Sequence, residues 1–339
     1  MRKGLWTAGL AAALVAGCVC TPQKDDPLVG EWSLRLPYDW MPAGAVTFSR
    51  GEQGEMRAFT LYRWSSPLWC ADVKAEGNRF SFRHPHGILF RGRTCGERMF
   101  AELALCDKDG KPTSAFRPFE GWRNPPAEDA STDDAVLGEP IDLLAKGLDG
   151  WRSMDTNYRF CWSFKDGVLS NRVVKRPDGK WAGGGANIKT KDDSFYDFNL
   201  EYDVKTYPNS NSGVYLRGRY EIQVQDSCGK TDCHTMGAYY GRVAPSVDAA
   251  KPAGEWQHVS VTLYRRRLTV VLNGVRIIDN APVTGVTGGA IDSCEFIPGP
   301  IYLQGDHSDA DYRNMILRPV VRCRGRLTGG TEAGDRSRS

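Results

Sequence analysis

The stretch SGVYLRGRYEIQVQDSCG, residues 212–229, indicates how the second half of this 339-residue chain folds. Tyr220, Ile222 and Val224 alternate with polar residues, which is the pattern of a β-strand that buries one face. The opposite face carries a run of long polar side chains: Arg219, Glu221, Gln223 and Gln225, with Arg217 in the same register and Asp226 just beyond. Side chains two residues apart project from the same face, so this polar row is the first candidate for a functional site.

The segments around this strand are also long, alternating and poor in helical periodicity. The pair Asn273–Gly274 lies between two apolar runs, which is a strong signal for a β-hairpin. About seven or more strands in this part of the chain predict a two-sheet sandwich. We assign residues 141–321 to it and expect the polar, glycine-rich residues 322–339 to form a disordered tail.

The first half of the chain has shorter alternating segments, separated at regular intervals by glycine, asparagine and proline. This spacing predicts a small antiparallel β-barrel or sandwich over residues 28–124. Residues 125–140, PPAEDASTDDAVLGEP, are acidic and almost free of large apolar groups, which is typical of a linker. The chain is therefore predicted to be an all-β protein of two domains.

The N-terminus has the pattern of an export signal. Arg2 and Lys3 precede a short apolar run, and LVAGC, which ends at Cys18, resembles the signal of a bacterial lipoprotein. That resemblance implies a signal peptide over residues 1–17, a lipid on Cys18 and a polar tether over residues 18–27. Because Val19 follows the cysteine, we expect an extracytoplasmic location on the outer membrane of a Gram-negative bacterium. A simple secretory signal cut nearby is the alternative.

The net charge argues against a nucleic-acid partner, and the cysteine content suggests disulfides. The formal charge of +3 is small and basic residues form no long block before the tail, so a nucleic-acid partner is not expected. Ten cysteines in an exported chain make disulfides reasonable, with Cys228–Cys233 as the first pair and Cys95–Cys106 as the second. The alternative is that several are buried free thiols.

An ordered set of motifs in the second half resembles the 3-keto-disaccharide hydrolase domain family. The motifs are GLDGW, DGVLSN, FYDFNLEYDVK, NSNSGVYLRGRYEIQVQDS, GAYYG, AAKPAGEWQ, LNGV and GPIYLQGDHSDADYRNMILRP. The resemblance implies a concanavalin- or laminin-G-like jelly roll that cleaves glycosides whose sugar is oxidised at carbon 3. It also implies, as a partner in the pathway, a separate oxidoreductase that makes the ketone. The first β domain resembles one that precedes this domain in some lipoproteins.

The polar strand lacks the residue pair that ordinary glycosidases need. Those enzymes use two carboxylates, whereas the positions two and four beyond Glu221 hold the amides Gln223 and Gln225. A 3-keto sugar removes this need, because the ketone acidifies the hydrogen on carbon 2 and one base suffices. We expect Glu221 to be that base and Arg217 to stabilise the enolate, a role that a divalent cation such as Ca²⁺ would also fill. The alternative is that Glu221 only pairs with Arg217 or Arg219.

A second constellation lies in LQGDHSDADYR, residues 303–313, at the end of a strand. His307 is the natural proton shuttle, and Asp306 would orient it or bind a metal. With Asp309 and Asp311 a calcium site is conceivable, although the spacing matches no calcium loop, and an acidic surface turn is the alternative. The expected substrate-binding residues are Arg219, Gln223, Asp226, Tyr240, Gln304 and Asp306.

These residues predict a hydrolase for 3-keto-glycosides. Base-promoted proton abstraction at carbon 2 would be followed by elimination at carbon 1 and then by hydration. The alternative is a carbohydrate-binding surface lipoprotein without catalytic activity. An ordinary glycosidase is disfavoured by Gln223 and Gln225.

Overall fold

The computed structural model describes residues 26–155, 157–174 and 184–321, and their fold is almost entirely β. In the first domain, nine antiparallel strands form one sheet in the order β4-β3-β2-β1-β9-β8-β7-β6-β5. They are β1 (Gly30–Arg35), β2 (Ala43–Arg50), β3 (Met56–Tyr62), β4 (Leu68–Trp69), β5 (Ala71–Glu76), β6 (Arg79–His84), β7 (Ile88–Cys95), β8 (Arg98–Leu105) and β9 (Arg117–Asn124). Because β3 contacts β5, the sheet is nearly closed, and it surrounds a core that includes Trp32, Phe48 and Phe90.

The second domain consists of two facing sheets. Its strands are β10 (Ile141–Asp142), β11 (Trp151–Ser153), β12 (Trp162–Lys165), β13 (Val168–Asn171), β14 (Ile188–Thr190), β15 (Phe198–Thr206), β16 (Asn211–Leu216), β17 (Tyr220–Gln225), β18 (Trp256–Tyr264), β19 (Arg267–Leu272), β20 (Val275–Pro282), β21 (Tyr302–Leu303) and β22 (Ala310–Pro319). The larger sheet has the order β12-β13-β22-β15-β18-β19-β20, with β10 beside β22, and the smaller has β11-β14-β21-β16-β17.

The core of the second domain lies between its two sheets. Alternate residues of β17, such as Ile222, pack with alternate residues of the larger sheet, such as Val204 and Val261. Burial of these apolar faces, at about 25 cal/mol per Å², drives the sheets together. The predicted fold class, a jelly-roll sandwich behind a small β-barrel, is confirmed.

The predicted linker is attached to the second domain. It contains a short 3₁₀ helix, Thr132–Asp134, and a second such helix follows at Gly147–Gly150. Thr132 Oγ1 lies 2.5 Å from Thr269 Oγ1, and its backbone amide donates to Asn280 Oδ1 at 3.0 Å. These contacts fix the acidic segment along β19 and β20, so it is not a loose spacer.

The two domains meet through buried polar groups. Asn124 at the end of β9 donates to Glu295 Oε1 at 2.6 Å, and Arg266 lies 3.2 Å from Glu31 and 3.8 Å from Glu295. Glu295 is completely buried. A buried carboxylate needs such donors to offset its lost hydration, so this cluster holds the domains in a defined arrangement.

Both predicted disulfides are wrong. Cys228 and Cys233 are free thiols, since Cys228 Sγ donates to the Ala250 carbonyl at 3.2 Å whereas Cys233 Sγ lies 3.5 Å from the His234 ring. Cys106 is also free, and Cys95 is disulfide-bonded but not to it. The thiols of Cys228 and Cys233 in this short loop therefore point toward different neighbours.

The targeting segment, with the proposed lipid site Cys18, and the tail lie outside the described residues. No helix within the described part of the chain combines the length and the apolar character needed to cross a bilayer.

Candidate active site

Glu221 lies on β17, the edge strand of the smaller sheet, on the face that is turned away from the core. It is paired in register with Tyr215 of β16, and β16 in turn pairs with β21 through Tyr302. The rings of Tyr215 and Tyr302 are stacked with centroids 4.0 Å apart. Gly213 leaves the space that the carboxyl group occupies, since a Cβ at this position would overlap Glu221 Oε1. The hairpin therefore builds a small polar chamber around one carboxyl group.

The hydrogen bonds in this chamber favour a neutral Glu221. The Tyr215 hydroxyl lies 2.8 Å from Glu221 Oε2 and 2.7 Å from the Gly288 carbonyl oxygen. A hydroxyl has one proton and cannot donate to both acceptors. A protonated Glu221 resolves the conflict, because it donates to Tyr215, which then donates to Gly288.

Burial is the main reason why the pKa of Glu221 rises from 4.5 to about 8. Its side chain is 3% exposed, and the negative charge of Asp306 raises the pKa further, while the hydrogen bond from Tyr215 opposes both. A carboxyl group with this pKa is ionised in about a tenth of molecules at pH 7. Such a group can accept a proton and return it near neutral pH.

The amides beyond Glu221 form a polar row, and the neighbouring carboxylate points elsewhere. Gln223 Nε2 donates to Asn211 Oδ1 at 3.0 Å and to Gln225 Oε1 at 2.9 Å. Asp226 accepts from the Asn209 amide at 3.0 Å, which turns it toward the loop between β15 and β16. The strand therefore offers no second carboxylate beside Glu221.

The second predicted constellation lies next to the same chamber. Gln304 follows β21, and its backbone amide donates to the Gly213 carbonyl at 2.9 Å. His307 Nδ1 lies 2.7 Å from Asp306 Oδ1, and this hydrogen bond raises the pKa of the imidazole. His307 is exposed, and the charge of its partner Asp306 acts on Glu221. The structure thus brings the predicted base and the predicted proton shuttle to one side of the smaller sheet.

The expectation that Arg217 shares a face with Glu221 is wrong. Arg217 has a φ of 52° and forms a tight turn with Gly218, whose φ is 65°, so it is not part of the strand. Its Nη2 donates to the Tyr220 hydroxyl at 2.8 Å, and its guanidinium lies over the Tyr196 ring. Tyr220 projects from the face opposite Glu221, so Arg217 is on the wrong side to stabilise an enolate there.

Arg219 is also occupied by the protein. Its Nη1 donates to the Arg217 carbonyl at 2.7 Å and to the Pro298 carbonyl at 3.3 Å, and its Nη2 lies 3.7 Å from Asp292. It is almost completely buried. The alternative in which Glu221 pairs with Arg217 or Arg219 is not observed, since both guanidinium groups contact other residues.

A loop of the first domain reaches this site, which the sequence did not predict. Ser66 Oγ lies 2.5 Å from His234 Nε2, and the His234 ring meets the Tyr240 ring edge-on at 5.1 Å. Burial and the nearby charge of Glu221 raise the pKa of the half-buried Tyr240. The one available signal in the sequence was His234 itself, a histidine directly after Cys233.

The acidic residues after His307 do not form a calcium site. Asp311 accepts from the Tyr207 hydroxyl at 2.6 Å and pairs with Arg172 at 2.6 Å, while Asp309 accepts from the Val173 amide at 2.9 Å. Within the described ranges, no cluster of three or more histidine, cysteine, aspartate or glutamate side chains could hold a metal ion.

A family model for the 3-keto-alpha-glucoside-1,2-lyase-like domain matches residues 139–318. The chain belongs to this family. The resemblance recognised from the motifs is confirmed, and the second domain is related to carbohydrate-active enzymes.

Several solved structures resemble this lyase-like protein. A candidate glycosyl hydrolase from Parabacteroides distasonis is 24% identical, with 54% of this chain and 100% of that chain covered and a TM-score of 0.41. A second one from the same organism is 22% identical, with 64% and 98% covered and a TM-score of 0.41. Carbohydrate-binding module CBM66 from Bacillus subtilis is 14% identical, with 50% and 95% covered and a TM-score of 0.33. The curated proteins contain no match.

Proposed function

We propose that the protein cleaves glycosides whose sugar carries a ketone at carbon 3, with Glu221 as the base. The observation that supports this most is a buried carboxyl group that is hydrogen-bonded to a neutral hydroxyl group and whose pKa is about 8. An ordinary glycosidase needs a second carboxyl group nearby, and β17 supplies amides instead. Membership in the 3-keto-alpha-glucoside-1,2-lyase-like family supports this substrate class.

In the proposed reaction, the ionised Glu221 takes the proton from carbon 2, and the electron pair of that C–H bond forms an enolate with the ketone. The enolate then expels the leaving group from carbon 1. His307, whose protonated form Asp306 favours, gives its proton to the departing oxygen. With Arg217 on the other face, the Tyr240 hydroxyl is our candidate donor to the enolate oxygen.

Water completes the proposed reaction by adding to the unsaturated sugar. Its hydroxide part bonds to carbon 1, its proton restores His307, and Glu221, after exchanging its proton with solvent, gives a proton to carbon 2. The sum is hydrolysis without a change in oxidation state. Glu221 is 3% exposed in the free protein, so binding must open a path to its carboxyl group, with His307 and Tyr240 at the border.

The test compares a 3-keto-glycoside with its unoxidised parent in heavy water. We expect only the ketone to be cleaved and deuterium to enter at carbon 2 of the sugar, as seen by proton NMR and mass spectrometry. Equal cleavage of the unoxidised glycoside, or cleavage of the ketone with no deuterium at carbon 2, would overturn the proposal.

The burial of Glu221 favours a second candidate function, a carbohydrate-binding protein without catalysis. Calorimetry separates the two: this alternative expects saturable binding of a glycoside with no product after prolonged incubation. Turnover of the 3-keto sugar excludes it.

We also propose that a lipid on Cys18 anchors the protein outside the cytoplasm, on the outer membrane, where a separate oxidoreductase supplies the ketone. The support is the sequence of residues 1–18. Labelling with a radioactive fatty acid should mark the wild type and not the Cys18→Ser variant. Absence of label from the wild type would contradict the anchor.

A further inference from the structure

Two loops of the first domain carry a pair of exposed tryptophans. Trp40 precedes β2 and is 39% exposed, while Trp64 follows β3 and is 43% exposed. Their ring centroids are 5.7 Å apart and the rings are tilted by 46°. Indole rings strongly favour burial, so an exposed pair held together marks a surface that contacts something else.

The pair is held rigidly. The guanidinium of Arg63 lies 3.9 Å over the Trp64 ring and also 3.9 Å over Tyr38. Arg63 Nη2 donates to the Trp40 carbonyl at 2.7 Å, so one side chain joins both loops. A preorganised aromatic surface binds with less loss of conformational entropy than a mobile one.

The loop that carries Trp64, residues 63–67, is fixed against the second domain. Gly289 donates its amide to the Arg63 carbonyl at 2.8 Å, and the Ser65 backbone fills the place of a side chain at Gly288. Gly241 similarly accommodates Ser66, whose Oγ would lie 2.7 Å from a Cβ there. The loop therefore keeps one position relative to the second domain.

The same loop borders the chamber of Glu221. Gly288, which Ser65 contacts, presents its carbonyl to Tyr215 at 2.7 Å, and Tyr215 is hydrogen-bonded to Glu221. Ser66 reaches His234, which packs on Tyr240. A substrate with its reacting carbon at Glu221 would extend its other end past this loop.

We propose that Trp40 and Trp64 form a subsite for the sugar on the leaving-group side of the substrate. The apolar C–H face of a neutral pyranose would pack on the indole rings, which buries apolar area without requiring charge. This inference rests on the proposed function for its position and goes beyond it, because it gives the first domain a role in choosing substrates with a sugar leaving group.

The experiment compares the variants Trp64→Ala and Trp40→Ala with wild type on two substrates, methyl 3-keto-α-glucoside and 3-keto-trehalose. We expect kcat/KM for the disaccharide to fall about 10- to 100-fold and that for the methyl glycoside to change less than about twofold. Equal loss on both substrates, or no loss on either, would overturn the subsite. Thermal unfolding of each variant confirms that it is folded.

Trp69→Ala is the matched control. Trp69 is 49% exposed on the same domain, but it lies on β4, outside loop 63–67, and it packs on Phe59 rather than on Trp40 or Trp64. Its replacement should leave both substrates unaffected.

A binding measurement separates this inference from the proposed function. Unoxidised trehalose and maltotriose are titrated into wild type and Trp64→Ala while tryptophan fluorescence is recorded. A saturable change that the variant loses supports the subsite even if no keto sugar is cleaved. Cleavage of keto sugars with no such fluorescence change in the wild type overturns the subsite and leaves the proposed function in place.

Discussion

Two glutamates of the second domain are buried in opposite ways. Glu295 is fully buried among donors: Asn124 at 2.6 Å, Tyr220 at 3.0 Å and Arg266 at 3.8 Å. Glu221 is almost equally buried but is hydrogen-bonded to a single neutral hydroxyl group. The first arrangement stabilises an ionised carboxylate, whereas the second destabilises it.

The contrast distinguishes a buried glutamate with a structural role from one suited to proton transfer. Glu295, surrounded by hydrogen-bond donors, joins the two domains. A buried carboxyl group without a cation is costly to ionise, and this cost gives it a pKa near the pH at which an enzyme works. Burial alone therefore does not identify a candidate base. The hydrogen-bond donors around the carboxyl group also have to be considered.

The largest expected difference between the two glutamates is in catalytic activity. Glu221→Gln keeps the shape of the side chain and removes the base, so we expect kcat on a 3-keto-glycoside to fall about 10²- to 10⁴-fold. Steady-state kinetics measure it. Retention of more than about a tenth of wild-type kcat would contradict the role of Glu221.

Glu295→Gln should lower the stability of the protein and leave its activity unchanged. Neutralising it leaves Arg266 less compensated in a buried place, so we expect a loss of about 2–3 kcal/mol in the free energy of unfolding. Urea denaturation measures this, and activity under native conditions should remain. A variant as stable as wild type would show that the cluster around Glu295 does not hold the domains together.

The stability of the protein should depend on pH through Glu221. Its folded-state pKa of about 8 exceeds the unfolded value near 4.5, so the folded state holds this proton longer. The resulting stabilisation is complete below pH 4.5 and is lost as pH rises through 8, by as much as about 5 kcal/mol. Relative to wild type, Glu221→Gln should therefore become more stable as pH rises across this window, as measured by urea denaturation. A pH-independent difference would contradict the raised pKa.

Catalysis should follow the same ionisation in the opposite direction. The fraction of ionised Glu221 grows about tenfold between pH 7 and pH 9, whereas the protonated form of His307 is lost as pH rises. With a good leaving group that needs no proton, such as 4-nitrophenolate, kcat/KM should therefore rise with an apparent pKa near 8. For that substrate, a rate that falls over this range would contradict the role of Glu221 as a base.

Gly213→Ala tests the chamber itself. The added methyl group overlaps the Glu221 carboxyl, so we expect it to displace the base and lower kcat about 10- to 100-fold. In the Glu221→Gln background the same change should cost nothing more, which a double-mutant cycle measures. Additive losses would mean that Gly213 acts elsewhere.

The smallest effect on activity is expected at Arg217. Arg217→Lys keeps the charge but loses the fixed geometry that reaches the Tyr220 hydroxyl, so we expect about 1–2 kcal/mol lower stability and kcat within about twofold of wild type. A loss of kcat above about 100-fold would restore Arg217 as a catalytic candidate.

The sequence predicted the features that depend on local alternation. The periodicity of Tyr220, Ile222 and Val224 was enough to assign the strand and to place Glu221 on its polar face. The position of Arg217 was missed because alternation was extended into a turn, although Gly218 is a residue that turns favour.

Other features depend on contacts that local sequence does not encode. Ser66 and His234 are 168 residues apart and belong to different domains, so nothing in either segment shows that they meet. The two cysteines beside His234 suggested a disulfide by spacing alone, whereas the directions of their side chains are set by the surrounding loop.

The glycines at the domain junction limit how this protein can be recombined. At Gly288 the backbone of loop 63–67 occupies the volume of a side chain, so even an alanine there would push the first domain away. A jelly roll with any larger residue at this position cannot pack against this barrel. If the barrel is grafted onto an unrelated jelly roll, the contact between loop 63–67 and Gly288 is lost. The fit of the two halves at this position is therefore steric, and a chimaera of either half must preserve a glycine here.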